Sequence, residues 1–188
     1  MKRLIFALLL LTACKEDAVL PQPVAMTAES IGYFCQMNIL EHPGPKAQIH
    51  LATFPGKPLF FSQVRDAVAY LRMPEQIDVV TATFVSDMGA AVDWANPGTT
   101  NWIAAETAVY VVGSDMMGGM DAPEVVPFGD KQKAQAFAAD HGGQVVALSE
   151  IPQDALVSVV VPADASDPAK GDADFAARLR ALATPNGD

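Results

Sequence analysis

Leu59 to Leu71 reads LFFSQVRDAVAYL, and Val125 to Ala138 reads VVPFGDKQKAQAFA. Each carries a short strand with a phenylalanine, Leu59-Phe60-Phe61 or Val125-Val126-Pro127-Phe128, followed by a helix, the first capped by Ser62. In the first, Val64, Ala67, Val68 and Leu71 follow the i, i+3, i+4, i+7 pattern of one buried face. That spacing predicts a helix from Ser62 to about Arg72, ended by Met73-Pro74. The second predicts a helix over Asp130 to Asp140, closed by His141-Gly142-Gly143. Shifted by 67 positions, Phe61, Ala67 and Tyr70 fall on Phe128, Ala134 and Phe137.

Further strands flank both stretches. Ala47 to Phe54 precedes the first, with Pro55-Gly56-Lys57-Pro58 as the turn, and the Val/Thr-rich run Ile77 to Phe84 follows it. Ala108 to Val112 precedes the second, and Gln144 to Leu148 follows. The expected fold is α+β: two duplicated β-β-α-β modules, residues 31–85 and 108–161, packed together. A unit of 67 residues could hardly bury a core alone. Residues 86–107, with Trp94, Asn96-Pro97-Gly98 and Trp102, read as a linking loop. Residues 162–188 are rich in Ala, Asp and Pro and read as a flexible tail. Within it, Phe175, Leu179 and Leu182 mark a short surface helix over Asp172 to Leu182.

The chain of 188 residues carries 22 acidic against 12 basic side chains, a net charge of −10. That argues against a nucleic-acid partner, which needs a basic face to neutralise phosphates. Two cysteines can neither form a disulfide framework nor hold a four-thiolate metal site.

The N-terminus has Lys2 and Arg3, an apolar run from Leu4 to Leu11, then Leu11-Thr12-Ala13-Cys14. A basic start, a short apolar core and small residues at the exit describe an export signal, residues 1–13. Eight apolar residues rise only about 12 Å as a helix, too little to span a bilayer. The exit resembles a bacterial lipobox with Cys14 as the lipidated residue. The resemblance implies a periplasmic, membrane-anchored chain beginning at Cys14, with net charge −12 once Lys2 and Arg3 are removed. Lys15 follows Cys14 in place of the Asp that retains lipoproteins at the inner membrane, so the outer membrane is expected. Residues 14–30 read as a lipidated tether.

Cys35 is then the one thiol left, in Tyr33-Phe34-Cys35-Gln36-Met37-Asn38-Ile39-Leu40-Glu41-His42-Pro43-Gly44-Pro45. If this segment is extended, Cys35 and Met37 point to one face. A thiolate beside a thioether suits Cu(I) and not hard ions. Met116, Met117 and Met120 add three of the eight methionines within one Gly-containing loop. Met120, between Gly119 and Asp121, is the favoured sulfur, with Met117 the alternative. His42 is the nearest histidine. His50, in a strand, and His141, at a helix end, have structural explanations.

In order, these motifs resemble the NosL family of lipoproteins, associated with assembly of the copper centre of nitrous oxide reductase. The resemblance rests on the lipobox, Cys35-x-Met37, His42-Pro43-Gly44-Pro45-Lys46-Ala47-Gln48, Tyr110 to Ser114, the Met120 loop, Pro127-Phe128 and His141-Gly142-Gly143. It implies a periplasmic Cu(I) chaperone with Cys35 and Met37 as ligands, Met120 matching the later methionine and His42 a further ligand. It also implies apo nitrous oxide reductase as acceptor, an upstream copper donor protein, and a fold similar to organomercurial lyase. That enzyme needs two cysteine thiols, so its activity is not expected here. Asp121 departs from the family, which often has Gly there. A homodimer is compatible with a lone thiol and a shared Met loop. Two other classes stay open: a thiol enzyme built on Cys35 and His42, and a passive lipid-anchored scaffold that docks through Trp94, Trp102 or the acidic surface.

Overall fold

The computed structural model describes residues 20–157. The lipobox with Cys14 and the tail helix expected over Asp172 to Leu182 lie outside the described residues. Two antiparallel sheets form the frame. The first contains β1 (Ala47–Leu51), β2 (Leu59–Phe61), β3 (Val80–Ser86) and β4 (Trp102–Ala104), in the order β2-β1-β3-β4. The second contains β5 (Val109–Val112), β6 (Val126–Phe128) and β7 (Gln144–Ala147), in the order β6-β5-β7. Helix α1 (Val64–Leu71) follows β2, α2 (Lys131–His141) follows β6, and the short α3 (Asp154–Val157) packs on α1. The α+β class is as expected. In both halves the first strand is central and the next two flank it.

The residues matched at the 67-position offset make matching contacts. Phe61 meets Tyr70 with ring centroids 5.6 Å apart, and Phe128 meets Phe137 at 5.2 Å. Ala67 and Ala134, the small residues on the two helices, are both buried. The larger core takes residues from both halves: Ile49, Phe61 and Val85 pack with Tyr110, Val112 and Val125. Along β5 the period of two divides the burial, since Val111 turns to a second cluster with Val126, Phe128 and Ala134.

Several local boundaries differ from the sequence expectation. Trp102–Ala104, placed by sequence in the linking loop, forms β4, the outer strand beside β3. Helix α1 is capped by Gln63 and not by Ser62, and the Gln63 side chain makes no capping bond. The backbone N–H of Arg65 donates instead to Glu124 Oε1 of the other half, at 3.0 Å. β3 starts at Val80 and not at Ile77. Asp78 Oδ1 accepts from Val79 N–H and from the Thr53 hydroxyl, both at 2.8 Å, which folds Gln76 to Val79 into a turn. The segment assigned to the tether comes to lie on the sheet over its last residues. Gln48 pairs its amide with both backbone groups of Val24, at 2.8 and 2.9 Å, and Met26 is buried.

Candidate metal centre

The Cys35 segment is a tight turn. Gly32 N–H donates to Met37 O and Gln36 N–H to Gly32 O, both at 2.9 Å, and Ile31 bridges to Asn38. Gln36 takes φ +55°, the left-handed region that L-residues seldom adopt. The extended geometry assumed for Cys35-x-Met37 is therefore corrected. The two residues are brought close by a reversal of the chain, with Cys35 Sγ 3.9 Å from Met37 O. Tyr33 N–H donates to Phe60 O at 2.7 Å and hooks the turn to the β2 edge. Phe34 stacks edge-on against Phe61 at 5.3 Å, and Tyr33 against Tyr70 at 5.5 Å. Core aromatics thus set where the thiol sits. A Cβ at Gly32 would collide with Cys35 Sγ, so the turn has room for the sulfur only because Gly32 lacks a side chain. Cys35 is half-buried and Met37 is 40% exposed.

The Met loop is the second candidate segment. Gly118 N–H donates to Ala122 O at 2.8 Å, Asp121 has φ +54°, and Met120 N–H donates to Gln63 Oε1 at 3.1 Å. Met117 and Met120 are each 41% exposed, while Met116 is half-buried. Exposure does not separate Met117 from Met120. Gly119, beside Met120, is the residue that meets His42.

His42 lies at the end of a 3-10 turn, Ile39–Glu41, whose Asn38 side chain accepts from Leu40 N–H at 3.0 Å. Its Nδ1 is 2.9 Å from Gly119 O. A carbonyl oxygen can only accept, so Nδ1 carries the hydrogen and Nε2 holds a lone pair. Nε2 is buried and has no hydrogen-bond partner. Backbone-fixed imidazoles with a free nitrogen are the usual state of a histidine metal ligand. The other two histidines are engaged elsewhere. His50 is buried in β1, with Nε2 2.9 Å from Gln48 Oε1, and burial lowers its pKa. His141 pairs with Asp115 at 3.0 Å and packs on Phe137.

Three buried polar residues support these segments, and sequence reading missed them. Lys46 is 1% exposed and donates to Pro43 O at 3.1 Å and to Gly44 O, clamping the turn after His42. Burial pushes its ammonium down to about 8, against the opposing pull of the Glu124 and Cys35 charges. Glu124 is 2% exposed, and burial pushes its carboxyl up to about 8, opposed by the N–H bonds from Arg65 and Val125. Its Oε2 has no partner and lies against Gly118, beside Gln63 Oε1. Gln63 reaches Met120, as above. The available signal was a single charged residue abutting an apolar run, Lys46 before β1 and Glu124 before Val125-Val126.

Among the described residues no group of three or more His, Cys, Asp or Glu side chains is placed to hold a metal ion. Cys35 and His42 are the thiol and imidazole candidates, and Met37, Met117 and Met120 carry exposed thioethers.

The NosL family model matches residues 23–156. The chain is 55% identical over 185 residues to the copper-binding lipoprotein NosL of Achromobacter cycloclastes, covering 96% of this chain and 93% of that one. It is 34% identical over 146 residues to the copper-binding lipoprotein NosL of Stutzerimonas stutzeri, covering 76% and 74%. The crystal structure of the copper chaperone NosL from Shewanella denitrificans superposes with a TM-score of 0.65 at 33% identity, covering 70% of this chain and 96% of that one. Similarity over nearly the full length, together with the shared fold, shows that this chain belongs to the NosL family.

Proposed function

We propose that this protein binds one Cu(I) ion as cargo through Cys35, Met37, Met120 and His42, and passes it to apo nitrous oxide reductase. The observation that carries the reading is His42: Nδ1 is tied to Gly119 O of the Met loop, and Nε2 is left buried without a partner. One thiolate with neutral partners makes an uncharged Cu(I) site, which costs little to desolvate. Half-exposed thioethers leave room for an incoming ligand before the outgoing one departs. Relatives described as copper-binding and as a copper chaperone support the same reading. A donor protein would load the site, and a lipid on Cys14 would hold the chain at the periplasmic face of the outer membrane.

Domain limits follow the same proposal: signal 1–13, tether 14–30, modules 31–85 and 108–161, link 86–107 and tail 162–188. The shared strand order and the paired aromatics support descent of the two modules from one β-β-α-β unit, as in the organomercurial lyase fold. Cys35 and His42 contact different partners, Met37 O and Gly119 O, which favours binding over a thiol–imidazole nucleophile.

The test is an anaerobic Cu(I) titration against a chromogenic chelator. Wild type should take up one equivalent, and Cys35→Ala should lose tight binding. Undiminished affinity in Cys35→Ala sinks the proposal. Loading of apo nitrous oxide reductase by the wild type and not by Cys35→Ala would carry it to the acceptor.

A further inference from the structure

We infer that the end of the first sheet formed by the β1–β2 and α1–β3 turns rests on the bilayer surface, through the exposed side chains of Leu20, Phe54, Ile77 and Val79. The inference rests on the lipid-anchor reading of Cys14. Three observations lead to it.

First, these residues form one apolar end. Phe54 belongs to the β1–β2 turn, and Ile77 and Val79 belong to the α1–β3 turn. The two turns are joined by Ala52 N–H to Val79 O at 2.9 Å and by the Thr53 hydroxyl to Asp78 at 2.8 Å. Exposure is 69% at Leu20, 53% at Phe54, 93% at Ile77 and 66% at Val79. Aliphatic and aromatic side chains that protrude this far on adjacent turns mark a contact surface.

Second, the chain from the anchor arrives here. Leu20 and Pro21 line a cavity of about 490 Å³ with Leu51, Ala52, Pro55 and Gly56 of the same end. Leu20 is six residues after Cys14, so the lipidated residue lies at most roughly 20 Å away. A lipid held that close brings these turns to the headgroup level without further chain.

Third, the His42 side of the cargo site stays clear of this end, while Tyr33 and Phe34, which precede Cys35, share a cavity with Phe54 and Ile77. β1 runs from Lys46, beside the metal centre, to Ala52 at the apolar end. Six strand steps separate the two by roughly 20 Å. Lys57 is the basic residue of the β1–β2 turn, and Glu75 and Asp78 stand on the neighbouring one. Apolar insertion, rather than attraction to anionic lipid, is therefore the contact.

The experiment uses the full lipidated chain with Ile77→Trp, reconstituted in phosphatidylcholine vesicles with brominated acyl chains. Ile77 is almost fully exposed, so the substitution disturbs no packing. Wild type is the internal control. Its own indoles, Trp94 and Trp102, lie beside Gly44 and opposite Ser86, toward the metal-centre end of the sheet. The expected result is loss of fluorescence and a blue shift in Ile77→Trp that persist at high salt, with no quenching in wild type. Vesicle-bound protein whose introduced indole stays unquenched overturns the inference and assigns the patch to a protein partner. A chain that does not sediment with vesicles and shows no lipid on Cys14 by mass spectrometry overturns the anchor reading, and the inference with it.

Discussion

The Nδ1 of His42 sits 2.9 Å from the carbonyl oxygen of Gly119, joining two segments 77 residues apart in sequence. That bond sets the tautomer and the direction in which Nε2 faces. Gly119 is close enough that an added Cβ would meet His42 Cβ at 2.5 Å and Pro43 O at 3.1 Å. Gly119→Ala should therefore push the imidazole aside while removing no ligand. Loss of an orienting contact typically costs about 10–100-fold in metal affinity. The chelator titration should show a weakening of that order, with unchanged circular dichroism.

The choice between the two exposed methionines can be made by substitution. Met120→Ala should weaken Cu(I) binding, and Met117→Ala should leave it near wild type. The reverse order would make Met117, two residues before Gly119, the sulfur donor. Gly32→Ala provides a matched test at the Cys35 turn, because the new Cβ collides with Cys35 Sγ. It should impair binding although Cys35 and Met37 remain.

Glu124 makes folding stability depend on pH. Burial raises its carboxyl from 4.5 to about 8 in the folded protein. Between those values the unfolded chain has released a proton that the folded chain keeps. Its stabilising contribution is therefore complete below pH 4.5 and declines as pH rises to about 8. Lys46 acts above that window with the opposite sign. Lowered from 10.5 to about 8, it makes stability rise with pH across that higher range. Glu124→Gln keeps an oxygen for the Arg65 N–H and removes the titration. A melting-temperature series across the lower window should slope downward in wild type and flatten in Glu124→Gln.

The two halves should unfold together, since one core draws Phe61 and Val85 from the first sheet and Tyr110 and Val125 from beside the second. Phe128→Ala leaves a cavity against Phe137 and should cost about 3–5 kcal/mol. Denaturant melts of wild type and variant should each show a single transition by fluorescence and by circular dichroism. Two separated transitions would mean that the halves are independent domains.

Much of the frame was legible because its signals are local. The strand–helix pattern at Phe61 and Phe128 needs no long-range information, and the offset even pairs the aromatics that pack together. Strand β4 escaped because Trp102–Ala104 is three residues long and owes its structure to pairing with Phe84, Val85 and Ser86. Ser62 looked like a cap, yet Glu124 of the other half satisfies the first turn of α1. At the candidate metal centre the local geometry was not readable. A left-handed Gln36 replaces the extended strand that Cys-x-Met spacing suggests. Lys46, Gln63 and Glu124 act through partners far away in sequence, which no spacing rule can reveal.

The contact between His42 and Gly119 has a consequence for a chain that emerges from its N-terminus onward. Cys35 and His42 emerge well ahead of the methionine loop, and until Gly119 arrives nothing aims the imidazole. The proposed ligand set therefore comes together only after both sheets have docked. A half-emerged chain would offer copper a bare thiol, and only the finished molecule a selective grip.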